Sequence, residues 1–381
     1  MNREVLASFL IIPSLLHAQT GSANVVGYID YLFEASLPAA GDRLFDQLLH
    51  ARLNTRWYPT ETLTGALEVR LRMFYGSLVR ETPDFAAQLK HDAGLGTMGM
   101  TLWNQRESVG YAEIDRCFLN WNPEKLQVTI GRQRVAWGTN LVWNPVDLFN
   151  PLSILDFDYV ERPAADAVRV QYYTGEVSKF EFAAKPGSAA TSRILAGQWS
   201  TNRWDYDFRL LAGLRGNAWC AGTAWAGDIG GGGFRGEALV SEIPSNLREA
   251  PDPRVMVSGA ISGDYTFPSS FYVHSEILYN SEGVQKNTMA ARGRAISLGL
   301  LSPARLSWYQ EFSYDISPLI RGSIFSIVNP DDRSLVVVPS VTWSVVTDLD
   351  VTLLAMSFGG RTGTEYGQLG TAIFARCKWS F

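Results

Sequence analysis

Three consecutive residues, His274, Ser275 and Glu276, are the only neighbouring group whose types match those of a hydrolytic catalytic unit. Consecutive residues of a β-strand point to opposite faces, so Ser275 would face away from both partners. The remaining histidines show no metal-ligand spacing, and no Gly-x-Ser-x-Gly, HExxH or CxxC motif occurs. We therefore expect no enzyme, no metal site and no cofactor.

A second set of candidate residues is charged and lies in the segment 131–166. Three prolines there prevent continued strand pairing, and several apolar residues make the segment too hydrophobic for a free surface loop. We expect a loop at about 138–165 that folds inward and forms a constriction. Its acidic residues would face basic residues on a wall and orient dipolar solutes. The residues concerned are Asp147, Asp156, Asp158 and Glu161 against Arg132, Arg134 and Arg162.

Two points about this segment stay open at the level of sequence. The loop could instead fold over a rim as a stabilising lid. In addition, Arg132 and Arg134 share a face with Leu126, Val128 and Ile130 unless a β-bulge intervenes, so the direction of both arginines is undecided.

Most of the chain outside this segment alternates apolar and polar residues with a period of two, which is typical of β-strands. In residues 67–75, for example, Glu68, Arg70 and Arg72 separate apolar neighbours. Many such stretches are about as long as the 9–11 residues that a tilted membrane-spanning strand needs. About eight short turns alternate with about nine mostly longer links, which is the pattern of an outer-membrane barrel. The count predicts about 18 strands, with 16 as the alternative.

In such a barrel the apolar register faces lipid and the polar register faces the lumen. This rule places Arg70 and Arg72 in the lumen, together with Glu113 and Asp115 of the next strand. An arginine-lined wall favours anionic or sugar-like solutes through fork-shaped hydrogen bonds. Ion pairs that only stiffen the wall are an equally good explanation for any single residue.

The ends of the sequence also suggest export. Residues 1–18 resemble a secretory signal peptide, with a short apolar run that contains Pro13 and ends near Ala18. We expect residues 19–381 to form one barrel domain. The net charge of −5 argues against nucleic-acid binding, and three widely spaced cysteines are not a disulfide framework.

The last strand carries the first resemblance to a known class. Every second residue from Ile373 to Phe381 is apolar, and the polar residues Arg376, Lys378 and Ser380 lie between the last four of them, Ala375, Cys377, Trp379 and Phe381. A terminal aromatic strand of this kind resembles the signal that the barrel-assembly machinery reads in bacterial outer-membrane proteins. A second resemblance lies in Gly131-Arg132-Gln133, Trp137-Gly138 and the segment 144–147, which are similar to the porin families that include alginate-export barrels. That resemblance implies an inward, pore-narrowing loop.

Together these observations predict an all-β, closed antiparallel barrel in the bacterial outer membrane. We expect a porin for passive or selective diffusion of small hydrophilic solutes, in contact with outer-membrane lipid. A plugged structural or adhesive barrel, whose long loops bind partners, is the alternative. Whether the barrel forms a homo-oligomer stays open.

Overall fold

The structure is a computed structural model that describes residues 23–89, 95–150, 161, 163–187, 192–248, 254–367 and 369–381. The expected signal peptide at 1–18 lies outside these residues. In the described part, three α-helices and one 3₁₀ helix (Ser245–Leu247) accompany nineteen strands. The α-helices are α1 (Ser77–Glu81), α2 (Phe85–Gln88) and α3 (Thr288–Leu298). The strands are β1 (Ala23–Leu37), β2 (Leu44–Thr60), β3 (Leu63–Gly76), β4 (Gly99–Asn104), β5 (Ser108–Trp121), β6 (Leu126–Gln133), β7 (Ala165–Tyr173), β8 (Ser178–Lys185), β9 (Ile194–Arg203), β10 (Tyr206–Arg215), β11 (Ala218–Ile229), β12 (Gly232–Glu242), β13 (Val255–Thr266), β14 (Tyr272–Asn280), β15 (Leu306–Ser317), β16 (Ile320–Asn329), β17 (Ser334–Val346), β18 (Leu349–Gly359) and β19 (Thr371–Ser380).

All strands belong to one antiparallel sheet that closes on itself through pairing of β1 with β19. At this seam the backbone N–H of Gly27 donates to the carbonyl of Phe381, and the N–H of Phe381 donates to the carbonyl of Gly27, both at 2.9 Å. Closure gives β1 and β19 a partner on both sides, so neither is an edge strand.

The short strand β4 is the exception to the simple up-and-down order. Strand β5 pairs with β3 along one side. Along its other side, residues 109–113 of β5 pair with β4 and residues 117–121 pair with β6. The two therefore share one position in the wall. The barrel has eighteen full positions plus this insertion, so the prediction of 18 strands is confirmed and 16 is wrong.

Side chains alternate between an apolar outer face and a more polar interior. Leu119, Ile130 and Phe182 are more than half exposed on the outside, while Glu181 and Glu276 of the inner register are fully buried. The alternation follows from the pleat of the strands, and it places charged groups away from the apolar surface. None of the helices in the described residues is long and apolar enough to cross a membrane.

Connections at the two ends of the barrel differ in length. One end carries short turns such as 61–62, 204–205 and 230–231, and residues 23 and 381 lie at that end. The other end carries most of the longer links, including 281–305 with α3, and the brief link 216–217. We call this the loop end, and the residues that follow β6 enter the interior from it.

Candidate functional site

Residues 134–150, here called the inward segment, leave β6 and enter the barrel. Val135, Trp137 and Val146 are completely buried, and they form one apolar cluster with the inner faces of β7–β12. The facing wall supplies small side chains, chiefly alanines, which leave room for the rings of Trp137 and Phe149, whose centroids lie 5.1 Å apart. The inward segment therefore lies inside the barrel rather than over its rim.

The middle of the inward segment reaches a second side of the interior. Val142 and Trp143 pack in a cluster with inner residues of β13–β19, and the ring of Trp143 lies 6.4 Å from that of Tyr309. The segment thus contacts apolar surface on the walls from β7 to β19. The remaining inner surface, on β1–β6, is where most of the charged residues lie.

Buried wall carboxylates hold the backbone of the inward segment. Oε1 of Glu237 accepts the N–H groups of Thr139 at 2.5 Å and Asn140 at 2.9 Å, and its Oε2 accepts that of Val146 at 3.2 Å. Glu276 accepts the N–H groups of Val142 at 3.1 Å and Trp143 at 2.6 Å. Charge-assisted bonds of this kind are about twice as strong as neutral ones.

A third carboxylate, Glu181, binds the first turn of the segment. It accepts the indole N–H of Trp137 at 2.6 Å and is itself paired with Arg169 at 2.7 Å. On the opposite side, the guanidinium of Arg209 donates to the carbonyl of Trp137 at 2.7 Å. The indole N–H and the backbone carbonyl of Trp137 are therefore both bound by side chains of the wall.

This arrangement differs from the expected one, in which acids on the loop face basic groups on the wall. Here wall acids bind loop amides. Asp147 accepts the backbone N–H of Trp137 at 3.2 Å, so it braces the inward segment internally. Asp156, Asp158 and Arg162 lie outside the described residues. Arg134 is exposed next to the buried Val135.

The direction of Arg132, which the sequence leaves undecided, is toward the outer register in the structure. It is paired with Cys117 and Asp166, and Cys117 belongs to the exposed outer register. No bulge intervenes; instead Gly131 adopts a φ of 122°, where an added Cβ would lie 2.3 Å from the carbonyl of Cys117. Arg132 is buried because it bonds Asp166 at 2.8 Å and the carbonyl of Gly96 at 3.2 Å.

The other expected lumen residues do come together, in a cluster that we call the charged wall. Arg52 bonds both Glu68 and Asp115, Arg70 bonds Glu113 at 2.5 Å, and Arg72 lies 3.3 Å from the same carboxylate. Cationic and anionic groups alternate on adjacent strands β2, β3 and β5, so most charges here are paired.

Glu161, which follows the inward segment, reaches this charged wall. Both of its carboxylate oxygens accept the hydroxyl of Tyr28, at 2.9 and 3.1 Å, and the guanidinium of Arg52 lies 3.9 Å away. Glu161 is therefore inside the barrel, next to β1 and β2.

The only neighbouring trio with catalytic residue types is divided between two faces. His274 and Glu276 point inward with Nε2 and Oε2 3.5 Å apart, whereas Ser275 accepts the indole N–H of Trp308 among exposed residues. In the described part of the chain, no three His, Cys, Asp or Glu side chains are placed to hold a metal ion.

Sequence reasoning did not identify Glu181, Glu237 and Glu276 as the carboxylates that bind the inward segment. A signal did exist: each is an acidic residue near the middle of a strand and on its inner register. Their partners are backbone amides of a distant segment, which leave no mark on the residue types around them.

No protein-family model and no curated protein matches this sequence. Several solved structures match it along nearly the whole length. OccAB3 of Acinetobacter baumannii aligns with a TM-score of 0.60 and 10% identity, over 95% of this chain and 99% of that one. The outer membrane protein OprD of Pseudomonas aeruginosa aligns with a TM-score of 0.59 and 6% identity, over 94% and 93%.

The chain shares their fold. OccK5 (OpdH) of Pseudomonas aeruginosa gives a similar result, with a TM-score of 0.59, 8% identity, and coverage of 95% and 98%. The resemblance to alginate-export barrels gains no support from these comparisons.

Proposed function

We propose that this protein is a porin of the bacterial outer membrane through which small hydrophilic solutes diffuse. The observation that carries the proposal is the inward segment, which contacts two sides of the interior and is held by three buried wall carboxylates. A segment fixed in this way narrows a lumen at a defined place. The fold shared with outer membrane proteins supports the location.

The solute path in this proposal runs between the inward segment and the charged wall. The segment covers apolar surface on β7–β19, which leaves the charged wall for the open side. There Arg56, Glu113 and Glu161 are partly exposed, whereas Arg52, Arg70 and Arg72 are buried among their ion-pair partners. Paired charges of both signs on that side favour polar solutes and tolerate anions. The proposed constriction includes Asp147, Glu161, Glu113 and Asp115. A diffusion channel needs no reacting groups, so we propose no catalysis.

A plugged barrel remains the second candidate because of one contact. Leu301 and Tyr366, from two loops of the loop end, pack into the same cluster as Trp143. These loops therefore close part of the interior from above. If closure were complete, the protein would serve as a structural barrel whose loops bind partners.

Other partners belong to the same proposal. The outer face, with exposed residues such as Phe182 and Leu353, would contact lipid. Strand β19 and Phe381 would be read by the barrel-assembly machinery. Homo-oligomers are testable by cross-linking in detergent.

The deciding experiment is single-channel recording of the refolded protein in a planar bilayer under a KCl gradient. Stable open steps support the porin, and insertion without conductance supports the plugged barrel. A protein that stays soluble and does not insert refutes both. Deleting residues 139–146 should raise conductance, and heat-modified migration in gels checks that this variant still folds.

A further inference from the structure

A polar pocket of about 380 Å³ lies at the loop end of the barrel, apart from the inward segment. It is bounded by the end of β10, the link 216–217, the loop after β12 and the C-terminal end of α3. Arg215 lies across from Ala218, which is buried, so the pocket opens at the mouth of the interior. Its volume falls in the range of roughly 300–1,000 Å³ typical of small-molecule sites.

The pocket is lined by groups that form hydrogen bonds in both directions. Asn217 and Asn246 each offer an amide donor and a carbonyl acceptor, and Ser245 and Ser297 offer hydroxyls. Arg215 adds further donors. This is a lining suited to a ligand with several hydroxyl groups.

The position of Arg215 is fixed by the helix beside it. Its guanidinium donates to the carbonyl of Leu298, at the end of α3. Gly299 follows with a φ of 73°, and a Cβ there would lie 2.2 Å from a guanidinium nitrogen of Arg215. A glycine is therefore needed for the arginine to lie against the helix end.

The opposite side of the pocket is braced in a similar way. Arg248 bonds Glu242 at 3.3 Å and the carbonyl of Ile243 at 2.9 Å. Ile243 and Leu298 are completely buried together, with Leu247 packed against them. The backbone on both sides of the pocket is thus held in place before a ligand binds.

Charges in the pocket balance locally. Arg215 forms no ion pair with a carboxylate of the described residues, but it lies at the C-terminal, negative end of α3. The charge of Glu242 is offset by Arg248. Only a partial positive charge, that of Arg215 reduced by the helix end, is left, so hydrogen bonding rather than charge dominates the lining and favours a neutral ligand.

We propose that this pocket binds an uncharged, hydroxyl-rich sugar. Its role as an entrance site for a transported sugar rests on the proposed porin function, whereas binding itself does not. The same chemistry could come from a free sugar or from the sugars of an outer-leaflet glycolipid.

Saturation-transfer NMR of sucrose with the detergent-refolded protein tests binding directly. We expect a signal that saturates as sucrose is added. The dissociation constant for sucrose should rise about tenfold when both pocket amides are removed by Asn217→Leu and Asn246→Leu. Asn122→Leu, an exposed residue of a turn at the other end of the barrel, is the matched control and should bind as the original protein does.

Three results would overturn the proposal: no sucrose signal, an unchanged affinity in the double variant, or tighter binding of gluconate than of sucrose. Arg215→Gln supplies a second variant, in which sucrose should bind more weakly. Competition by purified lipopolysaccharide would assign the site to the glycolipid, and its absence would assign it to free sugar. Conductance without sucrose binding refutes the sugar site alone, and binding without conductance refutes the porin alone.

Discussion

Glu237→Gln is the most direct test of how the inward segment is held. The carboxylate accepts N–H groups with both oxygens: Thr139 and Asn140 on one, and Val146 on the other. A glutamine keeps only one acceptor oxygen. In either orientation of the amide, at least one buried N–H then faces an NH₂ group and loses its partner.

The size of the effect follows from that count. A buried N–H left without a partner costs about 1–3 kcal/mol. At about 1.4 kcal/mol for each factor of ten, local opening of the inward segment becomes roughly 5- to 150-fold more frequent. The free energy of unfolding of the whole barrel should fall by no more than this amount, because the strand pairs on either side of Glu237 are untouched.

Hydrogen exchange of the peptide that contains residues 137–148 measures this opening, and single-channel noise reports the same event as a current. Glu176→Gln, an exposed residue in a turn at the opposite end, is the control. Glu276→Gln should act in the same direction, centred on Val142 and Trp143. If exchange in Glu237→Gln matched that of the control, wall carboxylates would not be what fixes the segment.

Three further predictions concern other parts of the barrel. Gly131 has a positive φ, so Gly131→Ala should lower the free energy of unfolding of the barrel in urea by about 1–3 kcal/mol. Gly175 has open space around it, so Gly175→Ala should leave that free energy unchanged. Equal effects of the two substitutions would show that backbone strain at Gly131 is not the cause. Replacing Arg70 and Arg72 by Gln removes both arginine partners of the Glu113 carboxylate. The reversal potential in a KCl gradient should therefore move toward cation selectivity. An unchanged reversal potential would mean that these charges lie outside the ion path. Burial raises the pKa of the Glu365 carboxyl, which lies in the loop before β19. The protonated carboxyl therefore contributes most to stability below the pKa of Glu365 in the unfolded chain. This contribution is lost as the pH rises through the pKa of Glu365 in the folded protein. Exchange in that loop, corrected for intrinsic rates, should therefore slow on acidification, and Glu365→Gln should remove the dependence.

The strand pattern could be predicted because it is local. Alternation in β3 and β19 is visible in the residue types alone, and short turns separate most strands. Strand β4 is not evident from the sequence: exposed Met100 and Leu102 alternate with Thr101 and Trp103, but the strand has only six residues. Its pairing with the upper part of β5 depends on β6 ending its own pairing early, which no local pattern encodes.

The direction of Arg132 was not predictable for a related reason. Alternation alone puts it on the face of Ile130, and an arginine on an apolar outer face is costly. The cost is removed by Asp166 across the strand pair and by the backbone near Gly96, which covers both. That cover comes from a segment more than thirty residues earlier in the chain.

The distribution of partners inside the barrel also changes what the arginines mean for selectivity. Counted along the sequence, Arg52, Arg70 and Arg72 suggest a wall that attracts anions. In three dimensions, Glu68, Asp115 and Glu113 on adjacent strands are bonded to them, so the field of the wall is that of close ion pairs and falls off over a short distance. A solute would then sense the wall only within the width that the inward segment leaves open. In the proposed porin, selectivity would be set jointly by the wall charges and by the three carboxylates that fix the segment. Loosening those anchors should then weaken discrimination between ions even though no charge of the wall is altered.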